Sequence, residues 1–428
     1  MQSPADRTAV EVGEHPRERL HTPNIALMTE GSTTEPPAAT PSTQMLVDPR
    51  FMPVADLFFR MFYKPSQGGG ALACYLHGEP VLDIWAGWAA RDKRWTRDTV
   101  VLSFSTGKGV ASTVVHRLAE RGLLDYDAAV AEYWPEFAAA GKETITLRQL
   151  MSHRAGLHKS RGLVPGREGL LDSEAVAAAL AASPPDPRRF HGPGYHAVTY
   201  GNLVAEVASR VTGVPFQELV RTEIAEPLGT DEFWYHVPED QRHRIARVFP
   251  KVNFLPAPWT TASAVLSRAP GVRGLAEAGM AEGFDELMRS PSAHDAVMPG
   301  WNGVFTGRAL ARMYAAIANG GAIDGARLLK EDTVDQLLEV QTRRRDYVLG
   351  IRPNWRLGYH PGWVALRQQP LRSVGHYGFG GSGAFADPET GLSVAFVTNR
   401  MGNTFTTISD GRFPRLGAAA VTAARRTG

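Results

Sequence analysis

The sequence predicts an α/β (α+β) fold, one domain whose sheet is supplied by both ends of the chain and split by a helical insertion. Two observations carry this. Strand-like apolar runs precede residue 104 and return after about residue 370, while the pattern between them is helical or loop-like to about residue 300. The 428 residues are 43% hydrophobic, ample for a large core. The expected division is an α/β part at about 46–104 and 305–428, with a helical part at about 105–304.

Residues 1–45 are rich in Thr, Pro, Ser and Glu and read as a disordered tail. They lack an apolar stretch after a basic start, so no signal peptide is expected. A first helix is expected over 53–62, with proline in its first turn. Residues 69–76 and 80–85 then read as two strands around a His77-Gly78-Glu79 hairpin signal. The run Val100-Val101-Leu102 gives way to a helix from about Ser105 to Glu120, with Val110, Val114 and Leu118 on its apolar stripe. Further helices are expected over 174–182, 203–211, 216–224 and 305–319, the last stopped by Gly320-Gly321. Strands return at 372–376, 383–386 and 393–398, and a helix over 415–426 closes the chain.

Composition excludes several classes. The formal charge is +2 with no long basic run, so neither nucleic acid nor an anionic membrane is expected as a partner. No stretch approaches the roughly 20 apolar residues of a membrane span. Cys74 is the only cysteine, which rules out a disulfide within the chain; its apolar neighbours suggest a small buried hydrophobe. With no His-Glu-x-x-His or Cys-x-x-Cys pattern, neither a metal nor another cofactor is expected. The Gly-x-Ser-x-Gly elbow is absent, since Ser382 sits in Gly380-Gly381-Ser382-Gly383-Ala384. A phosphate loop at Gly107-Lys108 fails too: Leu102 stands where its first Gly belongs, and Gly109 replaces its Ser/Thr.

The chemistry-bearing segment is Ser105-Thr106-Gly107-Lys108. Residues three apart on a helix share a face, so the Lys108 amine can reach the Ser105 hydroxyl. A serine is a poor nucleophile until a neighbour takes its proton. A lysine can take it once burial lowers its pKa from the usual value of about 10.4. Free N–H groups at the helix start can also face a developing oxyanion.

Two later segments complete a pattern: Tyr200-Gly201-Asn202, opening a helix, and His376-Tyr377-Gly378, a strand running into a glycine-rich turn. Ser-x-x-Lys, Tyr-x-Asn and x-x-Gly in this order resemble the serine β-lactamases and penicillin-binding proteins. The version here is most similar to the family VIII carboxylesterases, the esterase branch of the class C β-lactamase-like proteins. Leu150-Met151-Ser152-His153-Arg154-Ala155-Gly156-Leu157 and the Asp387–Gly391 turn are similar to further family segments.

The resemblance implies a β-lactamase/transpeptidase-like fold: an antiparallel sheet flanked by the terminal helices, with an inserted helical subdomain. It implies a Ser105 nucleophile, a Lys108 base, and a Tyr200 that shuttles the proton. Tyr195, five residues away, is the competing tyrosine. Asn202 is expected to meet Lys108 or a substrate carbonyl. The backbone N–H groups of Ser105 and Phe379 are expected to form the oxyanion hole, with Gly378 allowing close approach. His376 stands where the β-lactamases carry lysine, and a mostly neutral imidazole binds a substrate carboxylate less strongly. His153 is expected to pack rather than catalyse, and Trp259, Trp301 and Phe305 to belong to the core more than to an acyl pocket.

The expected activity is cofactor-free hydrolysis of short- to medium-chain carboxylic esters through a Ser105 acyl-enzyme. Without an export signal, it is expected in the cytoplasm. The alternatives are a β-lactamase or D-amino-acid peptidase on the same scaffold, and a non-catalytic binding protein. Intact Ser105, Lys108 and Tyr200 weigh against the last.

Overall fold

The computed structural model describes residues 8–10, 44–62, 64, 68–248, 277–278, 284–362, 372–401 and 410–426. Strands β1 (Thr8–Val10), β2 (Met45–Val47), β3 (Gly69–Leu76) and β4 (Glu79–Gly87) lie near the N-terminus. Five two-residue strands follow: β5 (Val101–Leu102), β6 (Phe233–Trp234), β7 (Val304–Phe305), β8 (Ala322–Ile323) and β9 (Ala326–Arg327). The C-terminal part supplies β10 (Val374–Tyr377), β11 (Gly383–Asp387) and β12 (Leu392–Thr398). They assemble into a seven-stranded sheet ordered β1-β2-β4-β3-β12-β11-β10, a small sheet β5-β7-β6 and the ribbon β8-β9. Every pairing in these sheets is antiparallel.

The two ends of the chain meet where β3 pairs with β12, Cys74 opposite Val394. All seven residues of β12 are buried, because both sheet faces are covered. On one face the helices Met52–Phe59 and Arg412–Arg425 enclose Phe58, Cys74, Phe385, Phe396 and Phe413. The Gly307–Ala318 helix packs on the other, against β3, β11 and β12. Cys74 is thus a buried core residue, as its sequence surroundings suggested.

The helical part holds Gly107–Glu120, Leu147–Met151, Ser173–Ala182 and Thr199–Thr212. The helix expected over 216–224 is α-helical only for Phe216–Val220 and continues as a π-turn, Arg221–Ala225. Its buried Glu223 pairs with Arg117 and Arg121 of the Gly107–Glu120 helix. A second difference lies at the N-terminus. Thr8–Val10 pairs with Met45–Val47, where only a tail was expected; most of 1–45 lies outside the described residues, as does Trp259. Phe305 packs against Phe233 and Tyr235 in the core, and Trp301 is buried with it. Among the described residues no helix is long and apolar enough to cross a membrane.

Candidate active site

Ser105 is presented by a constrained turn. Chain leaving β5 enters a short 3-10 segment, Phe104–Thr106, which leads directly into the Gly107–Glu120 helix. Phe104 has φ of +50°, a left-handed conformation that a bulky side chain adopts only under constraint. Neighbouring bonds supply it: the Ser103 N–H donates to Gly303 O at 2.7 Å, and the Ser103 hydroxyl to Val101 O at 2.9 Å. Phe104 and Thr106 are buried, leaving Ser105 partly open.

Helical spacing brings Lys108 beneath it. Nζ lies 2.9 Å from Ser105 Oγ, 2.6 Å from Ala197 O and 2.5 Å from Gly300 O. Lys108 is fully buried, and burial holds its pKa well below the usual lysine value. A neutral amine can be accommodated here. Carbonyl oxygens only accept, so two N–H bonds of a neutral amine satisfy Ala197 and Gly300, leaving the nitrogen lone pair for the Ser105 hydroxyl.

Gly300 reaches Lys108 because two backbones touch. A Cβ on Gly201 would lie 1.8 Å from Gly300 N, and one on Gly300 would lie 2.1 Å from Val198 O. Asn302 fixes the same loop from behind. Its amide donates to the carbonyls of Tyr235, Ala293 and Ala296, and its oxygen accepts from the Met298 N–H.

The two tyrosines exchange places relative to expectation. Tyr200 lies within the Thr199–Thr212 helix, fully buried, and its hydroxyl is 2.8 Å from Ser112 Oγ. Ser112 gives its own proton to Lys108 O at 2.7 Å, so Tyr200 is the donor in that pair. Tyr195 is the tyrosine beside the pair: its ring centroid lies 5.2 Å from Lys108 Nζ, and Ser105 offsets part of the effect of burial on its phenol. Burial raises the Tyr195 pKa, so its phenol keeps its proton. Tyr195 follows the Pro193-Gly194 turn and precedes the helix, in a loop that leaves it half-buried. The helix start instead turns Tyr200 toward the core.

Asn202 also departs from expectation. Its amide nitrogen meets Met298 Sδ at 3.1 Å, and Lys108 takes the Ala197 carbonyl instead. In Tyr195-His196-Ala197 a main-chain oxygen thus occupies the role expected of an asparagine side chain. His153 does not reach Ser105. Its Nδ1 accepts from the His196 N–H at 3.2 Å, and its ring lies 4.2 Å from Trp355 and 5.0 Å from Tyr195.

His376 lies on β10, 2% exposed, beside the Tyr195, Trp355 and His360 rings. Burial depresses its pKa, with His360 and Lys108 adding to the effect. Its Nδ1 is 3.0 Å from Tyr377 O, which fixes the proton there and leaves Nε2 as a lone-pair acceptor. Where β10 ends, Gly378 lies against the Ser105 turn: an added Cβ would be 2.3 Å from Ser103 O. The Phe379 ring meets Phe104 edge-on at 5.7 Å. The end of β10 and the Ser105 turn are therefore in direct contact.

Two residues without a sequence signal complete the site. Buried Asp346 accepts from the N–H groups of Tyr195, Val348 and Leu349 and from the Trp355 indole at 2.9 Å. Trp355 in turn stacks on Tyr195, centroids 5.3 Å apart and planes 12° apart. Among the described residues no cluster of His, Cys, Asp and Glu is arranged to hold a metal.

The beta-lactamase family model matches residues 58–419. The esterase/beta-lactamase LipL of Mycobacterium tuberculosis is 43% identical over 376 residues, covering 83% of this chain and 82% of that protein. The crystal structure of a family VIII carboxylesterase superposes with a TM-score of 0.76 at 34% identity, over 88% of this chain and 98% of that one. A penicillin-binding protein homologue from Caulobacter crescentus superposes with a TM-score of 0.73 at 31% identity, over 87% and 98%.

Proposed function

The chain belongs to the beta-lactamase family of serine hydrolases, and from that premise we propose that it hydrolyses short- to medium-chain carboxylic esters through an acyl-enzyme on Ser105. The observation that carries this reading is the fully buried Lys108 amine 2.9 Å from Ser105 Oγ, its pKa held well below the usual lysine value by burial.

In this mechanism the Lys108 lone pair takes the Ser105 proton as Oγ bonds to the ester carbonyl carbon. The carbonyl oxygen becomes an oxyanion and accepts hydrogen bonds from the N–H groups of Ser105 and Phe379. Collapse breaks the bond to the alcohol oxygen, which takes its proton from the Tyr195 hydroxyl. The Lys108 ammonium reprotonates Tyr195. In the second half water attacks the acyl carbon while its proton passes to the Lys108 amine, Tyr195 relaying it by handing on its own; the bond to Oγ then breaks and the Lys108 ammonium returns that proton to Ser105. No group outside this set is needed to balance the cycle.

Substrate preference follows from His376. A neutral imidazole presenting a lone pair gives no attraction to the carboxylate of a β-lactam, so neutral esters are favoured. A second reading, β-lactam hydrolysis at the same serine, is supported by the double name of the Mycobacterium tuberculosis relative.

Treatment with p-nitrophenyl butyrate or a fluorophosphonate, followed by peptide mapping, tests the proposal. The adduct is expected on Ser105. An adduct on Ser103, Ser382 or Cys74 overturns it. Parallel incubation with ampicillin separates the two readings, since efficient turnover favours the second.

A further inference from the structure

Away from Ser105 the molecule has a groove of about 450 Å3 whose lining includes four guanidinium groups, from Arg154, Arg189, Arg343 and Arg344, and no carboxylate. Three separate stretches of chain bring these charges together, so no long basic run announced them. No ion pair is formed by Arg154, Arg189 or Arg344 among the described residues, although Glu143 lies near enough to Arg189 to act on it electrostatically. Arg154 Nε donates to Ser152 Oγ at 2.9 Å, and Arg344 donates to Phe190 O at 2.9 Å. Arg189 Nε is buried without a partner among the described residues. Gln341 gives its amide oxygen to Arg148 at 3.2 Å, so the group it can still offer the groove is a donor.

Gathering like charges in a concavity opposes folding, and the effect is visible at Arg154. Its pKa is lowered by burial first and then by the nearby Arg148 and Arg344. A cleft of one sign also focuses its field on counter-ions. Guanidinium forks match the oxygens of phosphate in paired hydrogen bonds. At one wall Phe190 is 67% exposed with Arg189 4.3 Å from its ring centroid, an apolar surface directly beside the charge.

We propose that this groove binds a phosphate-bearing anion, a phosphomonoester or phosphodiester. The inference is independent of the esterase mechanism, since none of the four arginines touches Ser105, Lys108 or Tyr195. Two sources share the chemistry, a soluble phosphoester and a phospholipid headgroup.

Calorimetric titration with inorganic pyrophosphate tests the first source. Co-sedimentation with phosphatidylcholine vesicles containing phosphatidylglycerol tests the second. Both are run at about 0.15 M salt, where exposed charges are screened beyond about 8 Å. The full-length protein is compared with an Arg154→Gln/Arg343→Gln variant and an Arg60→Gln/Arg91→Gln control. At least one probe is expected to bind, about tenfold or more weakly to the groove variant, with the control unchanged. Binding of pyrophosphate alone assigns the soluble source, and binding of vesicles alone assigns the headgroup. Failure of both probes, equal binding by the groove variant, or equal loss in the control overturns the proposal. Unchanged ester hydrolysis confirms that the groove variant folds; if it does not fold, exposed Arg343→Gln alone carries the comparison.

Discussion

Asp346 holds Tyr195 twice. One carboxylate oxygen accepts the Tyr195 backbone N–H at 3.2 Å. The other accepts the indole N–H of Trp355, whose ring lies flat against the Tyr195 ring. Main chain and side chain of one tyrosine are thus fixed by a single buried carboxylate.

Tyr195→Phe is expected to lower kcat by at least about 10², the lower end for a proton-transfer group, without changing Tm. Tyr200→Phe is expected to do the reverse. Its kcat stays near normal, while stability falls by about 1 kcal/mol for the lost hydrogen bond to Ser112. Steady-state kinetics and thermal melts on both variants decide it. Collapse of kcat in Tyr200→Phe with retention in Tyr195→Phe contradicts the assignment.

Asp346→Asn sets an amide donor against either the Trp355 indole or a backbone N–H. Because it acts through the placement of Tyr195, the variant should lose about 10- to 10²-fold in kcat with little change in KM. In a Tyr195→Phe background the same change should cost little more, since both act on one step. Additive losses would show that Asp346 serves stability alone.

Lys108→Arg keeps a long basic side chain but one that stays protonated. A base held neutral by burial cannot be replaced in this way, so kcat should fall by at least about 10². In the native enzyme kcat/KM should rise with pH to a plateau reached well below the usual lysine pKa of about 10.4. A profile still climbing at pH 10 would place the Lys108 proton on the amine at neutral pH.

Burial depresses the pKa of His158 to about 4, of His196 to about 3 and of His360 to about 4. The unfolded chain binds these protons near pH 6.5, the folded chain only near pH 3 to 4. Between those limits the unfolded state holds more protons, so stability falls as pH drops and is unaffected by these groups above about 6.5. Each contributes up to about 1.4 kcal/mol per pH unit. Urea midpoints at pH 7, 6 and 5 should decline in turn; a constant midpoint would show that the rings titrate alike in both states.

His376→Lys restores a cation facing the substrate. The ratio of ester to penicillin kcat/KM should fall relative to the native protein. An unchanged ratio in a folded variant removes His376 from substrate selection.

The sequence made local geometry legible. The Ser105–Lys108 pair follows from one helix turn, and the chief strands from apolar runs bounded by turns. What it concealed was supplied from a distance. In one dimension the Asn two positions on favours Tyr200 over Tyr195, and what places Tyr195 comes from Asp346 and Trp355, over 150 residues further on. The second acceptor for Lys108 is a carbonyl of Gly300, and no residue type marks a useful carbonyl. Strands β5, β6 and β7 have two residues each, too short for any periodicity to register.

The meeting of Gly201 with Gly300 therefore reaches beyond packing. A methyl group on either would wedge loop from helix and withdraw one of the two carbonyls that orient the Lys108 amine. The nitrogen would then be free to rotate, and its lone pair would no longer be aimed. Two missing carbon atoms, one on a helix and one on a loop, thus set the aim of the amine beside Ser105.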